Sequence, residues 1–433
     1  MSTDTISDNT AVIVDGVRTP FVRAFHEYNS LDTIELGRLA VRELLRRSGV
    51  TRHVDAVIWG GVILPATVPN TGREIVLETD LSPTVEAFTV TRACSSSLLA
   101  ITQAAAAIER GEFDVVIAGG SESVSSAEVP LPRKLIRTMA PVVMDGKSGP
   151  LDFLGALAQL APFTDLVPRM PRVAERSTGE LMGEAADDMC RRNGISRAAQ
   201  DEMAMGSHRR AAQAVISGRF RDEIFPVEIS PGRSVYTDTI IRGNIDYAKL
   251  AQLRPVFRKN GTVTAGNASA LTDGAACTLV MSYRKARELG LKPKARLMSW
   301  HYSGVDPRDQ LLIGPAISMP LALKRAGLTA ADMDIVEIHE AFTGQVLCVL
   351  KAFASQEFVS RHAGEGAVAS EIAPHKINIH GGSVAIGHPF AATGARIVNT
   401  VANSLGRGEG RRALISICAA GGLGAAAVLE KVD

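Results

Sequence analysis

Runs of consecutive apolar residues alternate with stretches of helical spacing along the opening part of the chain. Residues 11–18 form one such run and end at Thr19-Pro20, which predicts a strand closed by a turn. From Asp32 to Arg47 the apolar positions are Leu36, Leu39, Ala40, Val41, Leu44 and Leu45, one face of a helix that stops at Ser48-Gly49. Residues 56–62 predict a further buried strand and 85–90 another strand, and 98–110 a long alanine-rich helix. A turn at 111–114 leads into another apolar strand, 115–120. Strands without a polar face need cover on both sides, so this alternation predicts an α/β fold with helices on both faces of the sheet.

The regularity lapses between residues 128 and 180, which hold many of the prolines and few periodic runs. Two apolar islands, 151–160 and 163–167, lie there; the favoured reading packs them inside the insert, and the other makes them a docking face. Helical spacing resumes at 183–193 and 197–218, and strand-like composition at 262–267. The last third repeats the opening pattern, with strands at 335–338, 377–379, 413–417 and 425–429 and a helix at 395–405. Residues 111–120 and 410–422 each read as a turn, a buried strand and a double glycine after an alanine-rich helix. Such self-similarity predicts an internal duplication.

Composition narrows the function classes. The 433 residues carry 47 Lys and Arg against 46 Asp and Glu, a net charge of +1, which argues against a nucleic-acid binder. A hydrophobic share of 46% excludes disorder along the whole chain. The five cysteines are scattered without a CxxC pair, so neither a disulfide framework nor a zinc ribbon is expected. This usage suits a reducing compartment, and the expected location is cytoplasmic. Residues 1–10 lack the basic and apolar regions of a signal peptide, and no run approaches the roughly 18 apolar residues of a spanning helix. Membrane contact is expected to be peripheral at most.

The candidate chemistry sits where strands end. Cys94 follows a strand and opens a helix, where free backbone amides and the helix dipole favour a thiolate nucleophile; the bland reading is a buried structural cysteine. In Gly387-His388-Pro389 the flanking residues hold an imidazole on a rigid turn, either as a base or as a surface histidine. Cys418 opens Cys-Ala-Ala-Gly-Gly-Leu-Gly, whose glycines admit a ligand close to the backbone, or else it is a small residue at a strand end. His339-Glu340 begins like a zinc-protease helix, but Thr343 breaks that pattern, and no metal site is expected.

Five segments in order resemble the thiolase family over nearly the whole chain. They are Arg92-Ala93-Cys94-Ser95-Ser96, Thr264-Ala265-Gly266-Asn267-Ala268-Ser269, His339-Glu340-Ala341-Phe342, Gly387-His388-Pro389 and the Cys418 loop. The resemblance implies a duplicated five-layer α-β-α-β-α core: residues 1–124 with 271–293 as one half, 294–433 as the other, and 125–270 as an inserted loop domain. It implies coenzyme A-dependent cleavage of 3-ketoacyl-CoA in fatty-acid β-oxidation, with Cys94 acylated, His388 as its base and Cys418 as second acid/base. His339 would join His388 in one oxyanion hole, and the amides of Cys94 and Ala420 would form the other. Arg242 and Ser269, with Met182, Ser207 and His208, match positions near the coenzyme or acyl group.

Coenzyme A would be a co-substrate and no cofactor permanently bound. Three positions depart from the common family pattern. His339 stands where Asn is usual, Ala391 where Gly is usual, and Leu181 where short-chain biosynthetic members have His. The first is similar to the β subunits of trifunctional fatty-acid oxidation complexes, as is the context around Gly382-Ser383. A homodimer or homotetramer, and a hydratase–dehydrogenase α subunit as partner, follow from the resemblance. The alternatives are a biosynthetic acetoacetyl-CoA thiolase and a non-catalytic acyl-CoA or lipid binder.

Overall fold

The computed structural model describes residues 6–128, 131–163 and 174–433. Two compact units emerge, one of the described residues up to Ser126 and from Glu175 onward, the other within Ala127–Ala174. In the larger unit, β1 (Ala11–Arg18), β2 (Val22–Arg23), β3 (Ala56–Gly60), β4 (Glu86–Val90) and β5 (Val115–Glu122) come first. A small hairpin of β6 (Val227–Ser230) and β7 (Arg233–Val235) follows. Then come β8 (Thr272–Ser282), β9 (Ala295–Gly304), β10 (Ile335–Ile338), β11 (Arg412–Ala419) and β12 (Leu423–Lys431).

The main sheet runs β10-β11-β12-β9-β1-β8-β5-β3-β4, and its two sides repeat one topology. β3 lies parallel to β5, which pairs antiparallel with β8, itself antiparallel to β1. Likewise β10 lies parallel to β11, which pairs antiparallel with β12, itself antiparallel to β9. Within the sheet, among the described residues, the two sides pair through Val12 of β1 with Arg296 and Ile13 with Ala295.

Strand alternation sends neighbouring residues to different cores. Ala11 and Ile13 of β1, Val116 and Ala118 of β5, and Ala413, Ile415 and Ile417 of β11 share one buried cluster. Into it pack the alanine-rich helix Ser96–Glu109 and the helix Thr393–Gly406. On the outer faces, Val12, Val115 and Ile117 pack with Leu36, Val41 and Leu44 of the helix Thr33–Ser48. Leu414, Ala426 and Val428 pack with Met319 and Val346 of the helices Pro315–Ala326 and Thr343–Phe353. Helix, sheet, helix pair, sheet and helix make the five layers. Small side chains on the central pair, Ala100, Ala104 and Ala105 with Ala395 and Ala402, let both sides of the sheet pack close to the helices.

Local sequence explains the element ends. Asp32 accepts the amides of Ile34 and Glu35, Glu35 reaches back to the Asp32 amide, and Gly49 ends that helix at φ 69°.

Three expectations fail. Residues 262–267 form no strand, because Asn267 folds the segment into a turn, accepting the Thr264 amide at 2.8 Å. Residues 377–379 form no strand either. Asn378 adopts φ 48° and its side-chain amide pairs with both backbone groups of Ile338, at 2.8 and 2.9 Å, so the backbone pairing stops at a single bridge between Ile377 and Val336. The island 151–160 does not pack away: in the helix Pro150–Gln159 only Ala156 is buried, Leu160 is buried just beyond it, and Leu151, Leu154 and Leu157 are exposed. The helix Arg133–Met144 buries none of its residues. Of the second island, Phe163 is exposed and residues 164–167 lie outside the described residues. Among the described residues, no helix is long and apolar enough to cross a membrane.

Candidate active site

The two central helices begin next to each other, and their approach builds the site. A Cβ on Gly394 would lie 2.5 Å from the Leu98 backbone nitrogen, so only glycine lets the second helix come this close to the first. Ser97 Oγ accepts the Ala395 amide at 2.8 Å and ties the two N-terminal turns together. Just before these turns stand Cys94 and His388. Ala93 holds φ 46°, a conformation costly for a non-glycine residue, and this bend sets the direction of the Cys94 side chain. Gly387 at φ 118° makes the corresponding bend before His388. His388 Nε2 lies 3.2 Å from Cys94 Sγ, and His388 Nδ1 lies 2.7 Å from Thr393 Oγ1. The His388 amide is held by Thr272 Oγ1 at 2.8 Å.

Burial decides the resting charges. It pushes the Cys94 thiol up to about 12, against opposing hydrogen bonds from the amides of Ala420 and of Cys94 itself. The expected thiolate is therefore not the resting form, because desolvation outweighs the helix terminus. Burial, helped by the Arg396 charge, lowers His388 to about 3, leaving a neutral imidazole with a lone pair for the thiol proton. The two amides that meet Cys94 Sγ are those of Cys94 and Ala420 themselves.

His339 and Cys418 arrive from the other half, at the C-terminal ends of the parallel strands β10 and β11, where α/β sheets bind ligands. The His339 amide extends the pairing by donating to Ser416 O at 2.8 Å. Its ring stands 4.1 Å from that of His388, centroid to centroid, and is fully buried. Burial, His388 and Arg396 hold His339 neutral, well below the ordinary imidazole range. Cys418 is buried too, and desolvation with the nearby Cys94 keeps it a thiol. Ligand atoms of Cys94, His339 and His388 all lie within 4.8 Å of one another. The geometry therefore offers a thiol, a neutral base touching it, a second thiol beside it and a second imidazole facing the same point.

A groove of about 370 Å³ is lined by Arg23, Arg242, Lys249 and His208 with apolar Leu250, Leu253 and Ala268. Arg242 and His208, both candidates from the sequence, line this groove together. The Arg242 amide donates to His208 Nδ1 at 3.2 Å, and burial with the Arg242 charge lowers that imidazole to about 4. Ser269 sits between two groove residues, Ala268 and Ala270, and its amide donates to Ala341 O at 2.9 Å.

Ser207 and Met182 are not part of the groove. Ser207 is buried, donates to Glu340 Oε2 at 2.7 Å and accepts the Gly382 amide at 2.9 Å, so it supports the His339 loop instead. Met182 packs against the outer core of the second half. Arg23 and Lys249 were not anticipated, nor were the hydroxyls of Thr393 and Ser383 behind the two imidazoles. Nothing in their spacing marks them; a hydroxyl in the turn after His388 is the one available hint.

Comparison with known proteins agrees with this architecture. Residues 11–284 match the model of the thiolase N-terminal domain, and residues 291–431 that of the thiolase C-terminal domain. A 3-ketoacyl-CoA thiolase of Yersinia pestis is 42% identical over 422 residues, which are 97% of this chain and 96% of that protein. The crystal structure of the Bacillus anthracis acetyl-CoA acetyltransferase superposes with a TM-score of 0.82 at 32% identity, covering 99% of this chain and 100% of that one. Human mitochondrial 3-ketoacyl-CoA thiolase in complex with CoA gives a TM-score of 0.83 at 27% identity, with 99% and 100% covered. With both domain models matched in order around the junction that joins Cys94 to His388, the chain belongs to the thiolase family.

Proposed function

We propose that the chain is a 3-ketoacyl-CoA thiolase, an acyltransferase of fatty-acid oxidation. One observation carries the reading: a neutral imidazole 3.2 Å from the Cys94 thiol, with Cys418 and His339 brought to it from the other half of the fold. His388 Nε2 takes the Cys94 proton as Sγ attacks the 3-keto carbon. The C2–C3 bond then breaks, leaving the acyl group on Cys94 and the enolate of acetyl-CoA. Cys418 protonates that enolate and becomes a thiolate. Incoming coenzyme A gives its thiol proton to Cys418 and attacks the acyl carbon, and Cys94 leaves and recovers its proton from His388. His339 and the amides of Cys94 and Ala420 donate to the developing oxyanions. The groove with Arg23, Arg242 and Lys249 suits the phosphates of coenzyme A as co-substrate.

The test follows loss of 3-ketoacyl-CoA absorbance with added coenzyme A across acyl lengths. Cleavage that survives beyond the acetoacetyl substrate supports the degradative role, and activity confined to it supports the biosynthetic alternative. Cys94→Ser abolishes turnover and Cys190→Ser leaves it near wild type; absence of cleavage at every length removes the enzyme reading. The same reading carries a homodimer or homotetramer. The exposed apolar faces of Arg133–Met144 and Pro150–Gln159 support a docking role for that segment toward a hydratase–dehydrogenase α subunit. Co-purification that yields only the homo-oligomer, with vesicle flotation in parallel, decides between that partner and a membrane.

A further inference from the structure

Behind His339 runs a chain of buried polar groups that no step above uses. Ser383 Oγ lies 2.8 Å from His339 Nδ1 and also 2.8 Å from Arg396 Nη2. Arg396 in turn gives Nη1 to Glu337 Oε1 at 2.7 Å. Arg396 and Ser383 are fully buried and Glu337 nearly so, leaving little access for water to rearrange these bonds.

The hydroxyl at the centre of this chain has one proton and two lone pairs. Arg396 has only protons to offer, so it occupies one lone pair of Ser383. Two arrangements of His339 remain. With a proton on Nδ1, Ser383 would accept from both neighbours, and its own proton would face no recorded acceptor among the described residues. An unmatched buried donor of that kind costs about 1–3 kcal/mol. With Nδ1 bare, the Ser383 proton goes to it, and both the hydroxyl and Nδ1 are matched; the one open group left on the ring is then the donor that substrate can meet. The ring proton then sits on Nε2. That atom is buried and has no hydrogen-bond partner among the described residues. It is the only nitrogen of the ring left to meet what enters between Cys94 and His388.

We infer that Ser383, held by Arg396 and Glu337, is a positioning residue that locks His339 in the Nε2–H tautomer, so that this ring presents a hydrogen-bond donor to the substrate oxygen. A donor in place of a lone pair has two consequences. His339 cannot act as a second base beside His388, and the Cys94, His339 and His388 group cannot close around a cation without first losing that proton. Ser383 thereby sets the electrostatic sign of one wall of the site. The inference rests on the acyl-transfer reading for the identity of the oxygen, but not for the tautomer itself.

The experiment reads tautomer and turnover separately. In protein labelled with 15N histidine, the His339 resonances of the resting wild type show a protonated Nε2 and a bare Nδ1, assigned by their loss in His339→Asn. Ser383→Ala removes the proton donor to Nδ1 and yields a mixed or reversed tautomer. The same variant lowers kcat about tenfold, short of losing a whole oxyanion donor, with KM for coenzyme A unchanged. Ser383→Thr keeps the hydroxyl and restores both readouts. In the His339→Asn background, Ser383→Ala has no further effect on kcat, because an amide has no tautomer to choose. A wild-type spectrum with the proton on Nδ1, or a Ser383→Ala variant that loses activity with the tautomer intact, overturns the inference. Because the spectrum needs no substrate, absence of thiolase activity with the expected tautomer counts against the acyl-transfer reading alone.

Discussion

Two histidines lie ring to ring beside Cys94, and the loops that carry them differ in what stands behind each ring. His388 Nδ1 meets Thr393 Oγ1 at 2.7 Å, and that hydroxyl has an acceptor in reach, Pro389 O at 3.5 Å. His339 Nδ1 meets Ser383 Oγ at 2.8 Å, and that hydroxyl has instead a donor, Arg396. The first arrangement lets Nδ1–H donate outward and leaves Nε2 bare toward the thiol. The second sends a proton to Nδ1 and places one on Nε2. Two identical, neutral side chains acquire opposite polarity from the second partner of one hydroxyl.

The largest effect expected from breaking this contrast falls on the base. His388→Ala lowers kcat about 10³-fold, within the range of general-base catalysis, and slows alkylation of Cys94 by iodoacetamide, because the thiol loses its proton acceptor. Unchanged alkylation would show that the 3.2 Å contact does not activate the sulfur. His339→Ala comes next. It lowers kcat about 10²-fold, as for loss of one oxyanion donor, while alkylation of Cys94 stays near wild type. Equal slowing of alkylation in both variants would erase the distinction between base and donor. Thr393→Val ranks third: it removes the oxygen that fixes the His388 tautomer and lowers both turnover and alkylation about tenfold. Those readouts are steady-state thiolysis and mass-resolved labelling of Cys94.

How much of this was legible in the sequence depends on the range of the interactions involved. The strand Ala11–Arg18 and the helices Ser96–Glu109 and Thr393–Gly406 follow from local apolar patterning and appear close to where it predicts them. Cys94, His388, His339 and Cys418 follow from motif order. The failures share a cause. Asn378 replaces a strand with a side-chain pairing to Ile338, which no periodicity encodes. Ser207 was placed beside the coenzyme by position, but a buried carboxylate from Glu340 captures its hydroxyl. The Cys94 protonation state is hidden in the same way: a helix terminus is visible in sequence, whereas burial depends on the packed surroundings. Long-range polar partners are what the sequence hides.

Those hidden partners include the carboxylates that pin the two loops, and here the contrast gives its smallest and most specific effect. Glu340 anchors the His339 side through Ser207 Oγ, Asn378 Nδ2 and the Val384 amide. Glu122 anchors the His388 side through backbone amides alone, Ile63 at 2.8 Å and Ala391 at 3.3 Å. Burial dominates at Glu122 and pushes its carboxyl from an ordinary 4.5 up to about 7, although those amides and Val62 oppose it. A carboxyl whose folded pKa is raised gives its full contribution to stability below about pH 4.5, and loses it progressively as pH rises to about 7. The shift corresponds to about 3 kcal/mol. Glu122→Gln cannot ionise, so its melting temperature relative to wild type rises between pH 4.5 and 7 and then levels off. Other titrating groups are common to both proteins and cancel in the difference. A difference that stays constant over that interval would mean that the His388 loop is pinned by an ordinary carboxylate, ionised throughout.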